Sequence, residues 1–300
     1  MAIHFPKPEI QFFPAKENQD YNGFSILIPS WNNLEMLKFC VESVRQNSFY
    51  QHQIIVHINE GTDGSLDWVK DMNLDYSFSK ENAGVCYAMN ALATLSKLPY
   101  LLYLNDDMYV CKNWDKPLMS KALEFKHSLW YISGTMIEPL PSSSKNVVAP
   151  FDFGRSPSTF QKEKLDAFAA GLTFEDWSGA SWPPSLIPKD TFLSVGGYSE
   201  EFSPGMYSDP DFSMKLWNAG VRVFLGLGNA LVYHFRSHST GRVKKNDGRK
   251  QFAAKWGIPA SWFYKKVLKM GNPAIANQNL NLPKGFSYLI ARIRAIYIKK

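Results

Sequence analysis

Asn105-Asp106-Asp107, directly behind an apolar run at 100–104, is the segment of this chain best suited to chemistry. Adjacent carboxylates at a strand end repel each other unless a cation or hydrogen-bond donors neutralise them. Oxygen ligands of this kind suit Mg²⁺ or Mn²⁺, ions that bridge to phosphates. The plainer alternative is that the three residues only cap a turn. A second carboxylate pair, Asp209 and Asp211, opens a helix expected over 208–219 and stopped by Gly220. Two positions along a helix is about 200° of rotation, so the pair cannot share one cleft. Asp209 falls beside the apolar stripe of Phe212 and Leu216 and is the better candidate for work in a cleft. Asp211, four residues before Lys215, reads as half of an exposed ion pair. His234 ends an expected strand at 230–234 and can add an imidazole ligand, or serve structurally. Arg236 and Arg242, on either side of His238, suit phosphate oxygens. Asn82-Ala83-Gly84 opens a helix, where backbone N–H groups can meet an anion or simply begin the helix.

Regular elements must hold these groups. The pattern predicts a strand at 24–29 stopped by Pro29, a helix at 33–47 and a strand at 53–59. A turn at 61–64, a helix at 65–72, a short strand at 76–78, a helix at 83–96 and a strand at 100–104 follow. Such alternation gives a parallel sheet with helices on its faces, a Rossmann-like α/β half. Ligands of such sheets sit outside the carboxyl ends of the strands. Pro29, Ser30 and Trp31, then Asn59 and Glu60, then Asn105, Asp106 and Asp107 fall at three such ends and converge on one cleft. Further on, a strand is expected at 130–137 and a Pro- and Ser-rich mobile loop at 138–159. A short helix at 188–195 ends at Gly196-Gly197, and strands follow at 221–225 and 230–234. There is no GxGxxG and no GxxxxGK[ST], which disfavours dinucleotide dehydrogenases and P-loop NTPases.

Charge is distributed unevenly over the 300 residues. Residues 241–300 hold 14 Lys and Arg against the single Asp247, whereas residues 1–240 hold 19 Lys and Arg against 26 Asp and Glu. A basic tail on an acidic body suits phosphate, nucleic acid or an anionic membrane, or is a solvated face. In the tail, Phe286, Leu289, Ile290, Ile293, Ile296 and Tyr297 recur at helical spacing beside Arg292, Arg294, Lys299 and Lys300. This amphipathic basic helix can lie on a membrane, pack on the body or pack on a second subunit. Three separated cysteines without a CxxC fit a reducing compartment. With no apolar run of about 18 residues and no apolar stretch in residues 1–20, the expected location is cytoplasmic, with peripheral membrane association through the tail. The organisation expected is an extension at 1–22, a body at 23–240 divided near 110, and a basic helical extension at 241–300.

Taken in order, several segments resemble family-2 glycosyltransferases of the GT-A fold. Ser25-Ile26-Leu27-Ile28-Pro29-Ser30-Trp31-Asn32 is similar to their opening strand and turn, and Asn59-Glu60-Gly61-Thr62-Asp63-Gly64-Ser65 to their acidic turn. Glu81-Asn82-Ala83-Gly84 resembles their Asn-x-Gly helix start, and Leu104-Asn105-Asp106-Asp107 their Asp-x-Asp motif. Gly196-Gly197-Tyr198-Ser199-Glu200-Glu201-Phe202 and Ser208-Asp209-Pro210-Asp211-Phe212 are similar to their acceptor-side segments. The likeness runs over about 24–238. It implies a GT-A type, mostly parallel central sheet flanked by helices, with the basic helical tail outside it. It also implies a metal-dependent, inverting, non-processive transferase of hexosyl or N-acetylhexosaminyl groups. The donor implied is a nucleoside diphosphate sugar, UDP-linked above all, and the acceptor a saccharide or lipid-linked hydroxyl.

The same resemblance assigns roles. Pro29, Ser30, Trp31, Asn59, Glu60, Asn82, Gly84, Asn105 and Asp106 would hold the nucleotide. Asp107 and His234 would hold Mn²⁺ or Mg²⁺, and Arg236 and Arg242 the phosphates. Asp209 would be the general base, with Gly197, Tyr198 and Asp211 on the acceptor. Two other functions are open on the same residues: a non-catalytic carbohydrate- or nucleotide-binding protein, and a sugar nucleotidyltransferase. The latter would carry a Gly-rich loop where Pro29-Ser30-Trp31-Asn32-Asn33 stands. A nucleic-acid partner is not expected, because the acidic pair in the cleft repels a polyanion.

Overall fold

The computed structural model describes residues 8–16, 20–237, 245–275, 280–283 and 285–299. The first half comprises β1 (Ile10–Phe13), β2 (Ser25–Trp31), α1 (Leu34–Asn47), β3 (Gln53–Asn59), α2 (Ser65–Asp71), β4 (Asp75–Ser79), α3 (Gly84–Leu95), β5 (Tyr100–Tyr103), β6 (Met108–Val110) and α4 (Asp115–Glu124). The second adds β7 (Trp130–Ile137), β8 (Val147–Val148), α5 (Lys162–Gly171), β9 (Trp177–Ser178), β10 (Ser185–Pro188), α6 (Lys189–Ser194), α7 (Ser208–Asn218) and β11 (Val223–His234). Helices α8 (Gly248–Trp256), α9 (Ala260–Trp262) and α10 (Phe286–Lys299) lie in the basic tail. No helix among the described residues is long and apolar enough to cross a membrane.

The strands form one sheet in the order β1-β4-β3-β2-β5-β10-β7-β11-β6. Strands β4, β3, β2 and β5 run parallel, as the alternation of short apolar runs and helices predicts. They are buried on both faces, so β3 reads as a continuous Ile- and Val-rich run. Helix α1 covers one face through Leu37, Cys40, Val41 and Val44. Beyond β5 the sheet turns mixed. Strand β10 enters antiparallel between β5 and β7, and β11 lies parallel to β7 and antiparallel to β6.

Four expectations change. Proline 29 does not stop its strand: β2 continues to Trp31, with Pro29 opposite His57 in β3. The Leu27 carbonyl accepts from Leu104, so Pro29, two residues on, turns its missing N–H to the side where pairing with β5 has ended. The extension at 1–22 supplies β1, an edge strand antiparallel to β4. The two strands expected at 221–225 and 230–234 are one, β11, with an irregularity between Gly226 and Leu231. Finally, 138–159 is not a free loop. It carries β8 against β7, and the Phe153 N–H donates to the Tyr233 hydroxyl at 3.1 Å.

The basic tail does not stand apart from the body. Phe252, Phe263, Val267 and Leu268 are buried in one cluster with Tyr198, Phe212 and Leu216. Free Cys40, Cys86 and Cys111 are all buried.

Candidate active site

A cleft of about 470 Å³ opens where β2, β3 and β5 end. Pro29, Ser30 and Trp31 line it from β2, Asn59 from β3, Asn82 and Gly84 from the start of α3, and Asn105, Asp106 and Asp107 from the turn after β5. The facing wall is made by Gly205, Met206, Ser208 and Asp209 at the start of α7 and by His234, Arg236 and Ser237 after β11.

Several of these residues hold the frame. Ser30 Oγ donates to Asp106 Oδ2 at 2.7 Å, tying two strand ends together. Asn59 Oδ1 accepts from the Ala83 N–H at 2.8 Å, and Asn59 Nδ2 donates to the Ser30 carbonyl at 3.2 Å. Asn82 Oδ1 accepts from the Gly84 N–H at 2.9 Å in a local turn. Gly84 has φ +77°, and a Cβ there would lie 2.5 Å from Pro204 Cα. Glycine is required because α3 begins against the backbone of the opposite wall.

Register explains the most polar corner. Met108 in β6 pairs with His234 in β11, so Asp107 arrives beside the imidazole. Ile137 in β7 pairs with Tyr233, so Glu138 arrives on its other side. Asp107 Oδ1 lies 3.4 Å from His234 Nε2, and Glu138 Oε1 lies 2.8 Å from His234 Nδ1. Asp107 Oδ2 accepts from both the N–H (2.8 Å) and the hydroxyl (2.9 Å) of Ser237. Burial alone would lower the His234 pKa, but Asp107 and Glu138 outweigh it and hold it up at about 9. Burial would conversely raise Asp107, and the His234 charge and the Ser237 donors bring it below its ordinary value. Arg236 adds a cation 3.5 Å from Glu138 Oε2.

Asp209 is half-buried on the facing wall, and burial pushes its pKa up to about 7. That value is suited to a base working near neutral pH. Asp211, one helical half-turn on, differs in every respect. It is fully buried away from the cleft, accepting from Trp256 Nε1 at 2.8 Å and lying 3.0 Å from Lys255 Nζ. The exposed pair with Lys215 does not form, because Lys215 instead donates to the Gly197 carbonyl at 2.6 Å.

Gly197 and Tyr198 are likewise off the cleft. Tyr198 stacks on Phe212 with ring centroids 4.5 Å apart, and Gly197 sits against the Asn90 side chain. Glu60 does not line the cleft either; it accepts from Asn32 Nδ2 at 3.0 Å. His238 and Arg242 lie outside the described residues. Conversely, Glu138 and Ser237 were not singled out from sequence. The signal for Glu138 was its place as the first residue after β7, but only the pairing with β11 makes that place matter.

Residues 25–139 match the family model described as glycosyl transferase family 2. The match covers the strands and turns that line one wall of the cleft, and the sheet around it is of the GT-A type. No curated protein matches the chain. Among solved structures, residues 1–349 of S. aureus TarS in complex with UDP are similar at 17% identity and a TM-score of 0.51, over 71% of this chain and 60% of that one. GalNAc-T7 with UDP, GalNAc and Mn²⁺ is similar at 16% identity and a TM-score of 0.57, over 83% of this chain and 50% of that one. The chain thus spans between half and three-fifths of the length of these two structures, and at such identities the likeness is one of fold.

Proposed function

We propose that this protein transfers a sugar from a nucleoside diphosphate donor to an acceptor hydroxyl. The observation that carries the reading is a family-2 segment whose strand ends place Asp106 and Asp107 across one cleft from Asp209. Ser30, Trp31 and Asp106 would face the nucleoside, and Asp107, His234 and Arg236 the diphosphate. UDP is the donor nucleotide tested first, since it accompanies both similar structures.

A divalent cation fits the polar corner in a limited way. Among the described residues, no group of three or more His, Cys, Asp or Glu is gathered for a metal. Asp107 Oδ1 and His234 Nε2, however, stand 3.4 Å apart and would hold one ion between them once the imidazole gives up its proton. Glu138 orients the imidazole from its far side, as partners of ligating histidines do. Two protein ligands with the rest supplied by diphosphate and water is the Mg²⁺ or Mn²⁺ mode. When bound, the ion would neutralise charge developing on the leaving diphosphate.

The chain's own residues would do the rest. Asp209 takes the proton from the acceptor hydroxyl as that oxygen attacks the anomeric carbon from the face opposite the leaving diphosphate, inverting it. Arg236 offers a cation to the departing phosphate oxygens. The acceptor is a saccharide or lipid-linked hydroxyl entering past α7.

Calorimetric titration of UDP, GDP, dTDP and CDP, with Mn²⁺ and then with EDTA, tests the donor half. Metal-dependent binding of one nucleotide is expected, weakened by at least about tenfold in Asp107→Ala. Binding of none, or binding indifferent to EDTA and to Asp107→Ala, would sink the assignment and favour a degenerate site.

A further inference from the structure

Helix α10 is packed inside out. Its buried residues are the small ones, Ala291 and Ala295, seated against α8, whereas Phe286, Leu289, Ile296 and Tyr297 are 55–77% exposed. Ile293 joins them at 46%. Positions 286, 289, 293, 296 and 297 fall on one helical stripe, so the exposed apolar surface is continuous. A soluble surface helix shows the reverse arrangement, and a continuous apolar stripe left in water marks an interaction surface.

The charges around it say what covers it. A groove of about 1070 Å³ runs between α10 and α8–α9, with Arg249, Lys265, Lys266 and Arg294 among its walls and Asp247 as the single acid. A second copy of this chain is disfavoured as the occupant. A twofold contact would set the stripe against itself and face this basic region with its like. An apolar ridge flanked by cations, carrying Tyr297 and with Trp262 lining the groove beside it, instead matches the depth profile of a bilayer surface. There, apolar side chains enter the acyl boundary, aromatic rings sit at headgroup level and cations meet anionic headgroups.

We infer that α10 and the basic groove beside it dock this protein on an anionic lipid surface. The groove is placed to matter for the reaction. Tyr207 lines it, while its neighbours Met206 and Ser208 line the catalytic cleft. If the proposed transferase reading holds, an acceptor displayed at a lipid surface is delivered next to Asp209.

The test is co-sedimentation of the full chain with phosphatidylcholine vesicles containing about one-third phosphatidylglycerol, against pure phosphatidylcholine. Binding is expected to the anionic vesicles only, and to fall as salt is raised. The double variant Ile293→Ser/Ile296→Ser should weaken it at least about tenfold. Lys265→Gln/Lys266→Gln should weaken it by about fivefold per charge. All four side chains are exposed, so far-ultraviolet circular dichroism should be unchanged in both variants. Absence of sedimentation at low salt, equal binding to neutral vesicles, or binding indifferent to the isoleucine pair would each overturn the inference. So would concentration-dependent self-association abolished by Ile293→Ser/Ile296→Ser, which would make a second copy the occupant. No donor or acceptor enters this assay, so its failure and that of the transferase reading are distinguishable.

Discussion

On one wall of the cleft, Ser30, Asn59 and Asp106 are delivered by the ends of neighbouring parallel strands that follow one another along the chain. On the other, His234 meets Glu138 across 96 residues and Asp107 across 127, brought near only by the β6–β11 register. The first wall is fixed largely by local pattern: apolar runs, helices between them and polar residues where each run stops. The second depends on an inserted antiparallel strand, β10, and on one long strand, β11, that pairs on both sides. Local geometry therefore builds the side proposed for the nucleotide, and long-range register builds the side where phosphate and acceptor chemistry is proposed.

The largest effect expected from breaking this contrast is at Asp209. Asp209→Asn should lower turnover by roughly 10²–10⁴-fold while nucleotide affinity, held by the other wall, stays the same. Near-normal steady-state turnover would remove Asp209 as base. The wild-type rate should rise with pH through about 7 as the carboxyl ionises. Because the folded chain holds this proton more tightly than the ordinary 3.8, stability should fall as pH rises from about 4 to about 7. Asp209→Asn should remove that fall, so the variant melts higher than wild type at pH 8; an equal melting temperature would count against burial as the cause.

Asp211, on the same helix, should behave in the opposite way. Asp211→Ala strips the partner from Trp256 Nε1 and one partner from Lys255, and should cost about 3 kcal/mol in denaturant unfolding. Lys255 keeps Glu201 at 2.8 Å, which limits the loss. Loss of turnover with full stability would instead place Asp211 on the acceptor. Gly84→Ala is the smallest change and tests whether the two walls are one unit. Its Cβ meets Pro204 at a left-handed backbone position, so a loss of about 1–3 kcal/mol is expected. No shift in melting temperature would mean that α3 and the 204–206 segment separate freely.

Legibility from sequence follows the same division. The strands and helices of the parallel half, β2 to β5, could be read to within a few residues because burial on both faces enforces long apolar runs. Strands β6, β8, β9 and β10 could not, since two to four residues carry too little periodicity to distinguish them from loop. The opposite faces of Asp209 and Asp211 followed from helical rotation alone. That Asp211 is buried did not, because its partners Lys255 and Trp256 come from the tail, 44 and 45 residues away. Gly197 and Tyr198 show the limit of motif matching: a matching string locates a segment, whereas stacking on Phe212 decides which way it faces.

By itself, the sequence determined that an α/β sheet would present Ser30, Asn59 and the Asp106-Asp107 pair at adjacent strand ends. It also determined that the tail would be basic and its last helix amphipathic. These are consequences of spacing, and spacing is written in the chain. Only the tertiary structure decided that Glu138 and Asp107 flank His234, that Asp211 is sealed in the core, and that α10 turns its alanines inward and its isoleucines out. Those outcomes depend on which distant surfaces compete for each face, and that competition is settled by packing rather than by local pattern.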